Sequence, residues 1–413
     1  MEFGPIFRAM SKKKIGVALL VAEVAVTMAI VLNCINMVVD NKARMTIPSG
    51  LDEENILSIS MQSYGDAFEE DAFVDQVREQ DLELIRTQPG VIDATPISPV
   101  PLQGGGSSTQ VKVPGSSSET LVRAPIYTVD EHFLATLGLE LVEGRPFTKQ
   151  DILPRPDPDA PPSAPRPLNV IVTKALADAL YPDGDALGQQ ITDGNDESVD
   201  TIVGVVGYMY TPYDNGASGM EYRILFFPGR PGGASGSRYL VRAEPVAYAD
   251  LFTDLEERLA TVNSERVVTT RSMMEIKMGG QFTNRFVVRI LSVIVVLLLS
   301  VTALGIYGMT SFTVTERTRQ IGTRRALGAR KVDVVRFFLV ENTIITLLGI
   351  GIGLILAFAL NVAMVGAADN VSRLSFGLVV LGMLIVWGIG VLATLVPALR
   401  GARIPPVVAA QSA

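Results

Sequence analysis

Four long apolar runs constrain this 413-residue chain more than any other feature of it. A bilayer core takes about 20 mostly apolar residues wound as a helix. Ile15–Val39 meets that length, interrupted only by Glu23 and a few small polar residues. Ile290–Val314, Thr343–Val365 and Phe376–Val396 meet it with no charged residue at all. One such run reads as the core helix of a soluble protein; four do not. The first run is too long for a signal-peptide core and no small-residue cleavage site follows it, so it is expected to stay as an anchor. The expected fold class is an α-helical four-span transmembrane domain with a large mixed α/β extracytoplasmic domain inserted between spans 1 and 2.

Charge sets the expected orientation. Arg8, Lys12, Lys13 and Lys14 precede the first span. Between spans two and three, Arg317, Arg319, Arg324, Arg325, Arg330, Lys331 and Arg336 stand against Glu316 and Asp333. Arg400 and Arg403 follow the fourth span, and in the short connection Gly366–Ser375 Asp369 is balanced by Arg373. Basic flanks stay inside. Residues 1–14, 315–336 and 397–413 are therefore expected in the cytoplasm, with both termini of a multi-pass membrane protein inside. Spans lie at 15–39, 286–314, 337–365 and 376–396; 40–285 and 366–375 lie outside.

The large outside segment carries 37 acidic and 20 basic residues, while the rest of the chain carries 6 and 15. An acidic domain is repelled by anionic headgroups and by nucleic acid, so no nucleic-acid partner is expected. Membrane lipid is the partner of the spans alone. Cys34 is the only cysteine and His132 the only histidine, which excludes a disulfide framework, a Cys/His zinc site and His-based catalysis. No metal, cofactor or catalytic residue is expected, and the chain reads as a non-catalytic membrane subunit.

Residues 40–285 read as mixed α and β. Glu69–Arg86 places Phe73, Val77, Leu82 and Ile85 near one helical face. Val91–Val100 is strand-like but holds Pro96 and Pro99, which predicts an edge strand. Gln103–Ser108 and Pro114–Ser118 read as flexible turns, and Ala124–Leu139 as a strand followed by a short helix. The proline-rich stretch Leu153–Pro167 reads as an exposed insertion. A strand at Leu168–Thr173, a helix at Lys174–Tyr181, a buried strand at Thr201–Tyr208 and a helix at Leu251–Val262 follow. Ser272–Gly280 leads back to the membrane, and Gly232–Ser237 reads as a plain loop.

Several of these segments resemble one family. Ala124–Arg145 (APIYTVDEHFLATLGLELVEGR) and Val170–Gly207 (VIVTKALADALYPDGDALGQQI … DTIVGVVG) are similar to two blocks of MacB-type permeases. Thr315–Asn342 (TERTRQIGTRRALGARKVDVVRFFLVEN) resembles the FtsX-like permease signature after the second span, and Pro397–Ala410 its closing segment. The resemblance implies a MacB-like periplasmic core at 40–285 and a subunit of an ABC-type transporter. In it, the 315–336 segment would dock on an ATP-binding subunit and pass its motion to spans two and three. The implied coupling residues are Glu316, Arg317, Arg319, Ile321, Gly322, Arg324, Arg325, Leu327 and Gly328. Physics supports a short helix over 316–328, with Gly328 at its C-terminal end and Arg324 and Arg325 near the negative end of its dipole.

ATP is not expected to bind here, because a P-loop needs a Gly-Lys pair and the chain contains none. That departs from MacB-type proteins with a fused nucleotide-binding domain and implies a separate ATPase, expected as a dimer. It also implies a second permease, either another copy or a homologue. Efflux or extraction from the periplasm or outer leaflet would further involve a periplasmic adaptor and an outer-membrane channel. Two other roles fit the same resemblance: an FtsX-like switch of a periplasmic cell-wall hydrolase, and LolC/LolE-like lipoprotein release. Spans two to four carry no charge at mid-membrane, so cargo is not expected to cross through them; force is relayed instead. Glu23 lies roughly 13 Å into the first span at about 1.5 Å per residue, and an interhelical polar contact is its expected role. Gly349, Gly351 and Gly353 are candidates for close helix approach.

Overall fold

The structure, a computed structural model, describes residues 14–117, 120–152, 166–194, 198–211, 222–231, 236–263, 265–367 and 371–405. Arg8, Lys12, Lys13 and Asp369 lie outside the described residues, as do most of the proline-rich stretch, most of the 232–237 loop and the tail beyond 405. The chain divides into two units, Thr46–Thr283 and the flanking Met1–Met45 with Asn284–Ala413.

The flanking unit holds four helices long and apolar enough to cross a membrane. They are α1 (Lys14–Met45), α7 (Phe282–Glu316), α9 (Lys331–Ala367) and α10 (Phe376–Ala402). Each runs past its apolar core into polar residues; Lys42 and Arg44, for example, close α1 where the dipole is negative. Leu20, Val24, Met28 and Leu32 of α1 pack with Ile345, Ile350 and Ala357 of α9 and with Val379 and Val386 of α10. Two glycines one turn apart bring α9 onto α1. A Cβ on Gly349 would stand 2.7 Å from Val24 Cβ, and one on Gly353 2.7 Å from the Ala25 carbonyl oxygen. Gly351 meets nothing within 4 Å and faces away.

The helices are further stitched by buried polar groups, as expected where hydrocarbon offers no hydrogen bonds. Asn33 donates to the Ala357 carbonyl at 3.1 Å and Asn342 to the Gly390 carbonyl at 2.9 Å. Asn36 and Asn361 both donate to the Ser372 carbonyl, at 3.0 and 3.2 Å. These bonds join α1, α9 and α10. Helix α7 is the outlier: 6% of its most apolar stretch is buried, against 44% in α1. A 2.7 Å hydrogen bond between the Thr27 and Thr302 hydroxyls ties it to α1.

The other unit begins and ends with a strand–helix–strand. These are β1 (Ile56–Ser63), α2 (Asp71–Arg86) and β2 (Val91–Ser98), then β10 (Ser237–Ala243), α5 (Tyr248–Val262) and β11 (Arg266–Ser272). The sheet order β11-β1-β10-β2, with β10 antiparallel to both β1 and β2, is a split βαβ arrangement. Leu82 and Ile85 of α2 and Leu251, Leu255 and Leu259 of α5 cover one face of it. Beneath that layer Arg266 forks onto Asp81 with two 2.7 Å bonds, both side chains 1% exposed. A short helix, α6 (Met273–Gly280), follows β11 and opens on a capping box between Ser272 and Glu275.

Everything between β2 and β10 is an insertion with its own sheet. Its elements are β3 (Ser107–Lys112), β4 (Val122–Val129), α3 (Phe133–Leu137), β5 (Leu141–Gly144) and β6 (Asn169–Thr173), followed by α4 (Lys174–Leu180), β7 (Gln190–Asp193), β8 (Val199–Val206) and β9 (Leu225–Pro228). Pairing runs β4-β3-β7-β8-β6-β9 and returns to β4, so these strands close into a ring. Gly204 of β8 is where another backbone comes close: a Cβ there would lie 2.7 Å from the Arg145 carbonyl oxygen.

Two expectations fail here. Strand β2 is not an edge: it pairs with β10 over Val91–Pro96 and with β4 through Ile97 and Ser98. Each half is one-sided, which is how a proline-bearing strand sits inside a larger sheet. Ser107 and Ser108, expected in a flexible turn, begin β3 and pair with Ile126 and Pro125.

Ahead of the proline-rich stretch, Asp151 accepts five hydrogen bonds: two from Arg145, two from Thr148 and one from Asn169. The Arg145 guanidinium, foremost among these donors, holds the Asp151 carboxyl well below the usual carboxylate range. A depressed folded pKa gives stability that is whole above the unfolded value of about 4 and is lost as pH falls below it. Asp151→Asn is expected to cost about 2 kcal/mol at pH 7. The deficit should shrink as pH drops below about 4, read by thermal denaturation of the whole chain. An equal deficit at every pH would refute it.

Candidate functional site

Helix α7 ends at Glu316, and a nine-residue helix, α8 (Thr318–Ala326), follows after a single break at Arg317. The expected helix over 316–328 is thus shorter, and Glu316 belongs to the preceding helix. At its other end α8 closes as a Schellman turn. Gly328 takes φ +98° and donates to the Arg325 carbonyl, while Ala329 donates to that of Arg324. The left-handed backbone explains glycine at 328, since a Cβ there would meet open space.

The nine sequence-derived residues do not form one cluster; they divide by helical face. Arg317, Ile321 and Arg325, four residues apart, turn inward. Arg317 forks onto Glu341 of α9 at 3.0 and 3.1 Å, the two side chains 13% and 11% exposed. Ile321 is buried with Val314, Val334, Phe338, Ala398 and Ala402, and Gly322 is buried beside it. Arg325 donates to the Ala402 and Ile404 carbonyls at 3.1 and 2.9 Å, capping the end of α10. Arg319, Arg324, Leu327, Gly328 and Glu316 are exposed. The Arg324 guanidinium lies over the Phe337 ring, 5.2 Å from its centroid, and Leu327 is 84% exposed.

Glu341, Asn342 and Phe337 complete the arrangement, and sequence reasoning passed over all three. Glu341 did carry a signal: it is a lone carboxylate two residues before the uncharged run that starts at Thr343. Beside the Arg317–Glu341 pair a cavity of about 40 Å³ opens between α1, α7 and α9, lined by Gly16, Leu20, Met309, Thr313 and Ile345. That is room for a water molecule in contact with the pair. Farther along α1, Glu23 packs against Gly305 of α7, where a Cβ would meet its carboxylate at 2.5 Å. Among the described residues, the contact is with backbone rather than with a charged partner.

Residues 292–406, which include this turn, match the family described as FtsX-like permease C-terminal, and residues 15–262 match the MacB-like periplasmic core domain. The chain belongs to the MacB/FtsX-type ABC transporter permeases. The macrolide export ATP-binding/permease protein MacB of Hahella chejuensis is 27% identical to this permease over 361 residues, 84% of this chain and 50% of the relative. A probable export ATP-binding/permease protein of Pseudomonas fluorescens is 31% identical over 248 residues, 58% of this chain and 37% of the relative. The permease spans about half the length of the curated relatives it matches. Among solved structures, the periplasmic region of MacB from Actinobacillus actinomycetemcomitans covers 55% of this chain and 93% of its own. It does so at 18% identity and a TM-score of 0.33.

Proposed function

We propose that this permease transmits the ATP-driven cycle of a separate cytoplasmic ABC ATP-binding subunit to its large acidic domain, for efflux or extraction of a substrate from the periplasm or outer leaflet. The observation that carries the reading is the two-sided α8. One face is clamped onto α9 and α10, and the other offers Arg319, Arg324 and Leu327 to a partner. A helix that only satisfied the positive-inside rule would need neither the clamp nor an exposed leucine. ATP is bound by the partner, not by this chain. The basic flanks support both termini and α8 in the cytoplasm of an inner-membrane protein, with 46–283 in the periplasm.

A second permease, a copy or a homologue, completes the assembly; the periplasmic adaptor and outer-membrane channel belong to the efflux form of it. The relatives' names speak of export, and a 238-residue outer unit favours that over switching a hydrolase. The test is purification from the native membrane in mild detergent together with protease shaving of spheroplasts. An ATP-binding subunit should co-purify, and the acidic domain should be cleaved from outside while α8 is protected. Recovery without such a subunit, or cleavage of α8 instead, would sink the reading.

A further inference from the structure

We infer that the Arg317–Glu341 pair is the joint that fixes α8 against α9, and that Glu341 is a positioning residue for energy coupling. The inference rests on the transmission role proposed above and adds the route that the force takes. Arg317 is the residue at which the helix breaks, with φ −97° and ψ 14°; its N–H donates to the Thr313 carbonyl and its own carbonyl accepts from Ile321, so α7 and α8 are linked by backbone at this one residue. To that narrow link is added a side-chain grip at each end of α8. At its start Arg317 makes two parallel bonds to Glu341. At its end Arg325 holds the last carbonyls of α10 and the residue beyond. Ile321 and Gly322 pack between the two grips.

A bidentate fork fixes orientation as well as distance, which a single contact or a greasy patch does not. This fork and the contact of Arg325 Nη1 with two carbonyls, 8 residues apart, together set the tilt and the roll of α8. Taking both charges of the pair out of water is costly, so retention of an ion pair at this depth is explained by geometry rather than by stability. Beyond the joint, α9 continues to α1 through the glycine contacts at Gly349 and Gly353. A push on α8 therefore passes to α9 and then to α1. Helix α7, little buried and joined to α8 only at the Arg317 break, is the lesser route.

The test uses the full chain in lipid nanodiscs, in a Cys34→Ser background, with spin labels at the exposed positions Gln320 and Arg336. Glu341→Gln keeps the side-chain shape but leaves the guanidinium without its counter-charge. The inter-label distance distribution should broaden, and ATP hydrolysis stimulated by the permease in its complex should fall about tenfold, about 1.4 kcal/mol, while the ATP-binding subunit still co-purifies. The exchange Arg317→Glu with Glu341→Arg should restore the narrow distribution and bring hydrolysis back to within about threefold. An unchanged distribution in Glu341→Gln, or a folded exchange variant that restores nothing, would overturn the joint. Loss of co-purification already in the wild-type chain would instead overturn the coupling role itself, and leaves the distance measurement to judge the joint alone.

Discussion

Arg319→Glu combined with Arg324→Glu should reduce ATP-driven activity about 100-fold while the protein still inserts and folds. The two guanidiniums are exposed, and neither holds a carboxylate or carbonyl of its own bundle among the described residues; Arg324 merely lies over Phe337. Charge pairs across an interface are worth roughly 2–5 kcal/mol when one side is removed, and reversal adds repulsion. A loss of about 2.7 kcal/mol is a factor of about 100. Leu327→Asp, at the most exposed point of the turn, should act in the same direction. Arg325→Gln provides the contrast: its guanidinium is spent on Ala402 and Ile404, so its loss should loosen α8 from α10 and lower thermal stability. Reversing Arg324 and Arg325 together would mix the two effects. Measuring permease-stimulated ATP hydrolysis beside thermal stability separates them. Full activity in the Arg319/Arg324 double reversal would remove the docking face.

The second large effect concerns the bundle. Gly353→Leu is expected to destabilise it by about 3 kcal/mol, at the upper end for overpacking, and to lower the melting temperature by about 10 °C. The first atom of the new side chain would already collide with the Ala25 carbonyl and Met28, both backbone-fixed parts of α1. Gly351→Leu, two residues away on the opposite face, meets nothing within 4 Å and should change the melting temperature little. The pair of variants is its own control, because both add the same apolar volume and the same helix propensity. Equal melting temperatures would mean that α9 and α1 do not meet at these glycines.

The four membrane helices were legible because uncharged length alone decides them, and no distant contact can contradict it. In the Thr46–Thr283 unit the longer helices were legible too, since Leu82 and Ile85 repeat with the helical period. The strand network was not. β5, β7 and β9 are four residues each, too short for an alternating pattern to emerge. The split of β1–α2–β2 from β10–α5–β11 by an inserted ring depends on pairings between residues more than 100 positions apart, such as Ile59 with Tyr239. Prolines misled in β2, where Pro96 marks the change of partner and not an open edge.

At the α8 turn, the residue types were legible and their directions were readable but unread. Positions 317, 321 and 325 form one face at a spacing of four, and 319, 323 and 327 another. What no local pattern could give was the meeting of Glu341 with Arg317, which is made where α9 returns past the break between α7 and α8.

The strand common to both sheets of the Thr46–Thr283 unit bears on the proposed transmission. Pulling the inserted ring away from the split βαβ layer would draw on Ile97 and Ser98, whose neighbours up to Pro96 are laced to β10. Such a pull runs along covalent backbone and shears several hydrogen bonds at once instead of opening them one by one. In the transmission role proposed above, displacement at one end of this unit would be delivered to the other through the β2 backbone.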